Sequence, residues 1–203
     1  MHDSVYAPPK ADLSKRSDAG SDGDNAFYVV STRKLALLFF LTLGLYQIYW
    51  FYKNWSSYKD RCRYASSQDQ NIWPIPRALF SVFFVHSLFR KVEEYAIEKM
   101  RPLNWNISSD ATLLVALLIL SNVMGRLAGK NIGSPYTDYI SLLLLVPLYF
   151  SFHRAQQFIN ISCGDPQGIS NSKLTGANWA WMFTGAVFCL LAAVGLFMPE
   201  LGK

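Results

Sequence analysis

Apolar residues along this chain fall into runs separated by polar connections, and the runs are residues 35–51, 78–89, 111–125, 139–152 and 179–198. Residues 35–51 carry no charge and are long enough to cross the hydrocarbon core of a bilayer as one helix. Arg33, Lys34 and Lys53 flank this run, as is typical of a membrane span. A polar tail precedes the run and aromatic residues close it, which excludes a cleaved secretory signal. The pattern therefore predicts a membrane protein.

The later runs predict a helical bundle. Residues 179–198 form the clearest span. Residues 111–125 and 139–152 are shorter, but the connection between them is compact and rich in Gly and Pro, so they predict an antiparallel helical hairpin. Pro147 is expected to kink the second arm of this hairpin.

The run at residues 78–89 is short for a full span and lies between Arg77 and Arg90. Such a length is more typical of a re-entrant or interfacial helix, which the charged, helix-like residues 90–100 would continue. If this run crosses the bilayer, the bundle has five spans, and otherwise it has four. The distribution of Lys and Arg fits both topologies and leaves the orientation open.

Three polar segments complete the plan of the chain. Residues 1–26 are acidic and rich in Ser, Gly and Pro, and we expect them to form a disordered tail outside a single membrane domain at 27–203. Residues 53–71 are basic and should lie in water or on lipid headgroups. Residues 156–178 contain several turn-forming residues and are predicted to be a polar loop.

The composition agrees with this plan, because 51% of the residues are hydrophobic and 16% are charged. The net charge of +5 is too diffuse for a nucleic-acid interface. Cys62, Cys163 and Cys189 are scattered, so the chain predicts no metal site, no disulfide framework and no cofactor. The predicted fold is all-α, an integral membrane helical bundle of four to five membrane helices, one of them short enough to be re-entrant.

Polar residues within the apolar runs are the first candidates for function, because they are costly in lipid. They are Gln47, His86, Asn122 and Arg126. His86 could line a proton or ligand path, or it could simply be satisfied inside the bundle or at an interface. Arg126 could snorkel to the headgroups without any further role.

The aromatic cluster Tyr46, Tyr49, Trp50 and Trp55 predicts an interfacial belt at the end of the first span. Its alternative is a cage for a quaternary ammonium headgroup. In the same span, Gly44 and Gln47 are three residues apart, so on a continuous helix they would share a face that packs against another helix.

Three segments support a family resemblance. They are TLGLYQIYWFYK at 42–53, QQxIN at 156–160 and the closing pattern GANWAW…G…L…GLFMP at 176–199, and they resemble small bacterial membrane proteins grouped as domain of unknown function 4234. The resemblance extends over nearly all of residues 27–199. It implies a multi-pass helical domain in the bacterial inner (cytoplasmic) membrane, and it brings no catalytic residues.

We expect a non-enzymatic membrane component that interacts with membrane lipid, or with a protein partner such as a second copy of this chain, and not with nucleic acid. The alternative is a small oligomeric transporter or channel, whose path would include His86, Asn122 and Arg126. A lipid-modifying enzyme ranks last, because the chain contains no convergent set of reactive residues.

Overall fold

The computed structural model describes residues 25–65 and 71–197, and its regular elements there are all helical, which confirms the all-α class. The helices are α1 (Thr32–Leu41), α2 (Tyr46–Tyr64), α3 (Pro74–Leu79), α4 (Ser81–Glu98), α5 (Ile107–Ala128), α6 (Tyr136–Leu143), α7 (Leu145–Cys163) and α8 (Gly176–Phe197). A short 3-10 helix, Ile169–Asn171, lies in the connection between α7 and α8. Residues 1–24 of the predicted tail lie outside the described residues, and Ala26 is already fully buried.

The first apolar run is broken into two helices, so the prediction of one continuous span is wrong. Leu43 and Gly44 adopt left-handed backbone angles, with φ of 48° and 83°. The Thr42 hydroxyl donates to the carbonyl of Leu38 and accepts from the backbone N–H of Tyr46, at 2.7 and 3.0 Å. A hydroxyl that bonds to the local backbone and a glycine that tolerates positive φ together favour a turn over a helix.

The chain doubles back around this turn. The backbone N–H of Tyr28 donates to Asn54 Oδ1 at 3.2 Å, although the turn lies between these residues. On α7, the ring of Phe152 contacts both arms, with centroids 5.7 Å from Phe39 on α1 and 5.1 Å from Trp50 on α2. The segment before α1 therefore lies beside the middle of α2, and the two arms are antiparallel.

Helix α2 continues through much of the segment that was predicted to be a polar connection. Asn54 and Trp55 are fully buried and Cys62 is 4% exposed, so this part of residues 53–71 packs inside the fold and the prediction is wrong there. Its basic residues Arg61 and Arg63 lie in the last helical turn, where positive charge is favoured by the helix dipole.

Residues 78–89 belong to two helices, since α3 ends at Leu79 and α4 begins at Ser81. The predicted helical continuation through the charged residues is confirmed, because α4 runs to Glu98. Its buried residues repeat at helical spacing and turn one face toward α5 and α7. They are Val85, Leu88, Phe89, Val92, Tyr95 and Ala96.

The predicted hairpin is confirmed, because α5 packs along both α6 and α7. The predicted kink is also confirmed, since α6 gives way to α7 at Leu144, and Pro147 has no N–H to donate to the carbonyl of Leu143. The predicted polar loop at 156–178 is wrong in its first part, because α7 continues to Cys163. Gly164, with φ of 81°, ends this helix.

Helix α8 runs beside α1 in the same direction. Lys34 near the start of α1 donates to the carbonyl of Lys173, just before α8, at 2.8 Å. Near the end of α1, Gly185 of α8 lies so close to the Leu41 backbone that any side chain there would overlap it.

Within the part of the chain that the structure describes, one helix, α5, is long and apolar enough to cross a membrane. Only 17% of its most apolar 18-residue window is buried inside the fold. The prediction of four to five spans is therefore not confirmed.

Candidate functional site

An extended segment at residues 27–31, here called the strap, lies buried between α2, α7 and the connection at 164–175. Phe27 and Val30 are 1% and 0% exposed, so the strap needs partners for its backbone groups inside the protein. Amide side chains provide most of them. Asn54 accepts from the N–H of Tyr28, and Asn171 donates to the carbonyl of Val29 at 2.9 Å.

Gln156 and Asn160 of α7 hold the centre of the strap. Asn160 accepts from the N–H of Val30 at 3.3 Å and donates to its carbonyl at 3.0 Å, so one side chain satisfies both backbone groups of that residue. Gln156 donates to the carbonyl of Tyr28 at 3.0 Å and to Asn160 Oδ1 at 2.7 Å, and it accepts from the indole N–H of Trp50 at 2.5 Å. Both amides are fully buried. Such a satisfied network fixes the strap in one position.

The connection after α7 positions Asn171 beside the strap. Asp165 accepts from the N–H groups of Ile169 and Ser170 at 3.0 and 2.8 Å, and these bonds order the 3-10 helix that ends at Asn171. Burial alone would raise the pKa of the Asp165 carboxyl. The hydrogen bonds from Ser170, Ile169 and Gly168 nevertheless hold that pKa below its ordinary value.

Lys34, near the start of α1, bonds to the connection between α7 and α8. Its side chain is 3% exposed, and its ammonium group donates to Asn171 Oδ1 at 2.7 Å as well as to the Lys173 carbonyl. Among the described residues, no carboxylate lies within ion-pair distance of Lys34, so its partners there are neutral oxygens.

A cavity of about 490 Å³ opens between α1, α2, α3 and the first turns of α8. Its walls are mainly apolar, and a few polar groups from Thr42, Tyr46, Tyr49, Thr175 and Asn178 are exposed to it. The size of the cavity and the composition of its walls are typical of a site for a small apolar or amphiphilic ligand.

The predicted aromatic belt is largely internal. Trp50 and Trp55 are fully buried and Tyr46 is 6% exposed, so these rings cannot lie among headgroups and that interpretation is wrong for them. Tyr46 and Tyr49 line the cavity instead. The same rings do not form a cage for an external cation, because the faces of Trp50 and Trp55 are fully buried and the Arg77 guanidinium already lies 4.3 Å from the centre of the Trp55 ring.

Gly44 and Gln47 do not share a helix face, since Gly44 lies in the turn and only Gln47 is helical. Gly44 still packs closely, because a Cβ atom there would lie 3.1 Å from the Leu145 side chain of α7. The Gln47 amide oxygen is buried, and among the described residues no hydrogen-bond donor reaches it.

The remaining candidates do not form one path. His86 is exposed and bonds to Thr112 Oγ1 at 3.3 Å, near the start of α5. Asn122 and Arg126 are also exposed and lie near the other end of that helix. Ten residues of helix separate Thr112 from Asn122, a rise of about 15 Å. The structure therefore does not bring together the residues of the predicted transport path.

Sequence reasoning did not predict that Gln156, Asn160, Asn54 and Lys34 form the buried hydrogen bonds around the strap. The signal that could have found the first two is their spacing of four residues, which places both amides on one helix face. Their position just after the apolar run at 139–152 favoured a loop. In residues 25–65 and 71–197, no group of three His, Cys, Asp or Glu side chains is arranged to hold a metal ion.

Comparison with known proteins shows no similarity that could extend these observations. No family model, no curated protein and no solved structure matches the chain.

Proposed function

We propose that this protein is a non-enzymatic, multi-pass integral membrane protein that acts by binding membrane lipid. The observation that carries the proposal is the outward position of α5. The apolar core helix of a water-soluble protein buries its side chains, whereas this helix buries 17% of its most apolar window. Lipid is the solvent in which such a surface is stable.

Exposed apolar side chains on other helices also favour a lipid environment. Large ones lie on α1, α4, α6, α7 and α8, so the apolar surface is not a single patch of the kind that binds one protein partner. Examples are Leu37, Phe83, Leu143, Phe150 and Phe183. Together with the uncharged sequence of α8, this distribution favours α5, α6 with α7, and α8 as the spans.

The helix pair α1 and α2 is then a re-entrant hairpin. Helix α1 has 10 residues and a length of about 15 Å, which is half the thickness of the hydrocarbon core. The turn at residues 42–45 packs against the start of α7, whereas the strap that precedes α1 bonds to Asn54 in the middle of α2. The re-entrant element that the sequence placed at residues 78–89 is thus proposed at 32–51.

Extraction of membranes from cells that express the full chain tests the proposal. We expect the protein to stay in the pellet through high salt and alkaline carbonate, because spanning helices are held by hydrocarbon and not by charge. Mass spectrometry of the detergent-purified protein should then find retained phospholipid. Release by either wash, or purification with no retained lipid, would overturn the proposal.

A further inference from the structure

The cavity between α1, α2, α3 and α8 is apolar at one end and bears positive charge near the other. Its apolar end lies at the turn, where Leu45 and Ile48 line it. Toward the opposite end, Tyr52, Thr175 and Asn178 form the wall. Lys34, near the start of α1, bonds to the Lys173 carbonyl just before α8, so the start of α1 lies near this second wall.

Two lysines lie near the second wall in the chain, although neither lines the cavity. Lys53 follows the lining residue Tyr52, and its ammonium group lies 5.6 Å from the centre of the Tyr28 ring. Lys34 lies one helical turn before the lining residue Leu38, on the same face of α1. Its bond to the Lys173 carbonyl places it beside the backbone that leads to Thr175.

Both lysines lack an acidic partner among the described residues. The ion pairs there join Arg61 to Glu98, Lys91 to Glu94 and Arg154 to Asp110. A buried ammonium group without a counter-ion is costly, and an anion at this end would offset that cost. The cavity therefore combines an apolar compartment with an unmatched positive end.

The rim of the cavity opens on the surface of the bundle. Ile75, Leu79 and Trp181 line it and are 63%, 62% and 57% exposed. If the exposed apolar surface faces lipid, as the proposed function requires, a lipid chain can enter from the side without leaving the hydrocarbon phase.

We propose that this cavity binds one acyl chain of an anionic phospholipid, with the phosphate headgroup at the end formed by Lys34 and Lys53. The proposal rests on the proposed membrane function and names its ligand. The volume of about 490 Å³ lies within the range of ligand sites, roughly 300 to 1,000 Å³. The apolar walls hold the chain, and the lysines select the charge of the headgroup.

Native mass spectrometry of the full chain in detergent, titrated with phosphatidylglycerol or phosphatidylcholine of identical chains, tests the site. The cavity variant is Ala177→Trp, since Ala177 lines the cavity and is exposed. Its matched control is Ala180→Trp, which is on the same helix, exposed and outside the lining. We expect filling the cavity to weaken binding of phosphatidylglycerol at least about fivefold relative to the control, as overpacking does in protein interiors.

Charge selection has its own pair of variants on α2. Lys53→Gln should reduce the preference for phosphatidylglycerol over phosphatidylcholine by about fivefold, the effect of one lysine near an anionic headgroup. Lys59→Gln is the matched control on the same helix and should leave the preference unchanged. Far-ultraviolet circular dichroism of each variant checks that the helices are intact.

The outcomes separate this inference from the proposed function. Carbonate-resistant protein in which Ala177→Trp binds lipid as well as Ala180→Trp does would overturn the cavity site and leave the membrane function standing. Equal loss of preference in Lys53→Gln and Lys59→Gln would overturn the assigned headgroup end. Release by carbonate would instead overturn the proposed function itself.

Discussion

Single buried amides determine where the N-terminal strap lies. Asn160 satisfies both backbone groups of Val30, and no apolar residue could do so. At the level of individual residues, the interior of this protein therefore depends on polar groups that are fully paired. That arrangement makes their loss costly, because each removed partner leaves a buried donor or acceptor without a bond.

Replacement of Asn160 tests this dependence. We expect Asn160→Leu to lower the free energy of unfolding by about 2–4 kcal/mol, since the N–H and C=O of Val30 both lose their partner. Gln157→Leu is the matched control, because Gln157 is the exposed neighbour of Gln156 on the same helix. Denaturant titration in detergent, followed by circular dichroism, measures both. Equal midpoints for the two variants would contradict the role of the amide.

Asp165 should make the fold sensitive to acid. Its pKa is lowered in the folded protein, so its contribution to stability is present above the unfolded pKa of about 4 and is lost as the pH falls through the lower folded value. We expect Asp165→Asn to cost about 0.5–1.5 kcal/mol at pH 7 and to flatten the acid side of the stability curve. Asp60→Asn, at an exposed position on α2, should change neither the stability at pH 7 nor its dependence on acid. An unchanged acid dependence in Asp165→Asn would count against this assignment.

Among the elements, the turn at residues 42–45 changes the topology most. Eighteen or so apolar residues would normally form one span, yet backbone angles at two positions convert this run into a helix pair. The turn depends on local chemistry, with a hydroxyl that bonds to the backbone and a glycine at positive φ. Its packing against Leu145 then holds the pair against α7.

Substitution of Gly44 tests the turn. Gly44→Ala should destabilise the protein by about 1–2 kcal/mol, because a Cβ atom is disfavoured at positive φ. Gly125→Ala is the control, since Gly125 lies within α5 with open space around it, and alanine there should be neutral or stabilising by up to about 1 kcal/mol. Thermal midpoints in detergent compare the two. A tolerated alanine at residue 44 would favour the continuous helix.

Cysteine labelling tests the direction of the pair. Arg33→Cys and Arg63→Cys are at exposed sites in the first turn of α1 and near the end of α2, and a re-entrant pair should place both on one side of the membrane. Ile132→Cys, in the connection between α5 and α6, should be labelled from the opposite side. The background replaces the native cysteines, which are Cys62, Cys163 and Cys189. Labelling of residues 33 and 63 from opposite sides would instead show that residues 35–51 cross the membrane as a single span.

Over the whole molecule, the buried polar network lies toward one end of the bundle. The strap, the buried amides, Asp165 and Lys34 share one end, while the turn at 42–45 and the junction of α6 and α7 lie away from it. In a membrane, such a molecule would place its amide network and its lysines near the headgroups of one leaflet. The cavity connects that end to the apolar surface.

The sequence by itself determined the helical class, the hairpin of α5 with α6 and α7, and the kink before Pro147. These features follow from local causes, namely the length of apolar runs, the Gly and Pro residues between them and a missing backbone N–H. The helical course of residues 90–98 was predictable for the same reason.

Only the tertiary structure decided the turn at 42–45, the burial of Trp50 and Trp55, and the extension of α7 through Gln156 and Asn160. Polar residues near the end of an apolar run predict a loop or an interfacial belt as long as their partners are unknown. Here the partner of the α7 amides is the strap, more than 120 residues away in the chain. Pairing at that distance leaves no local pattern, because it depends on which segments meet when the helices pack.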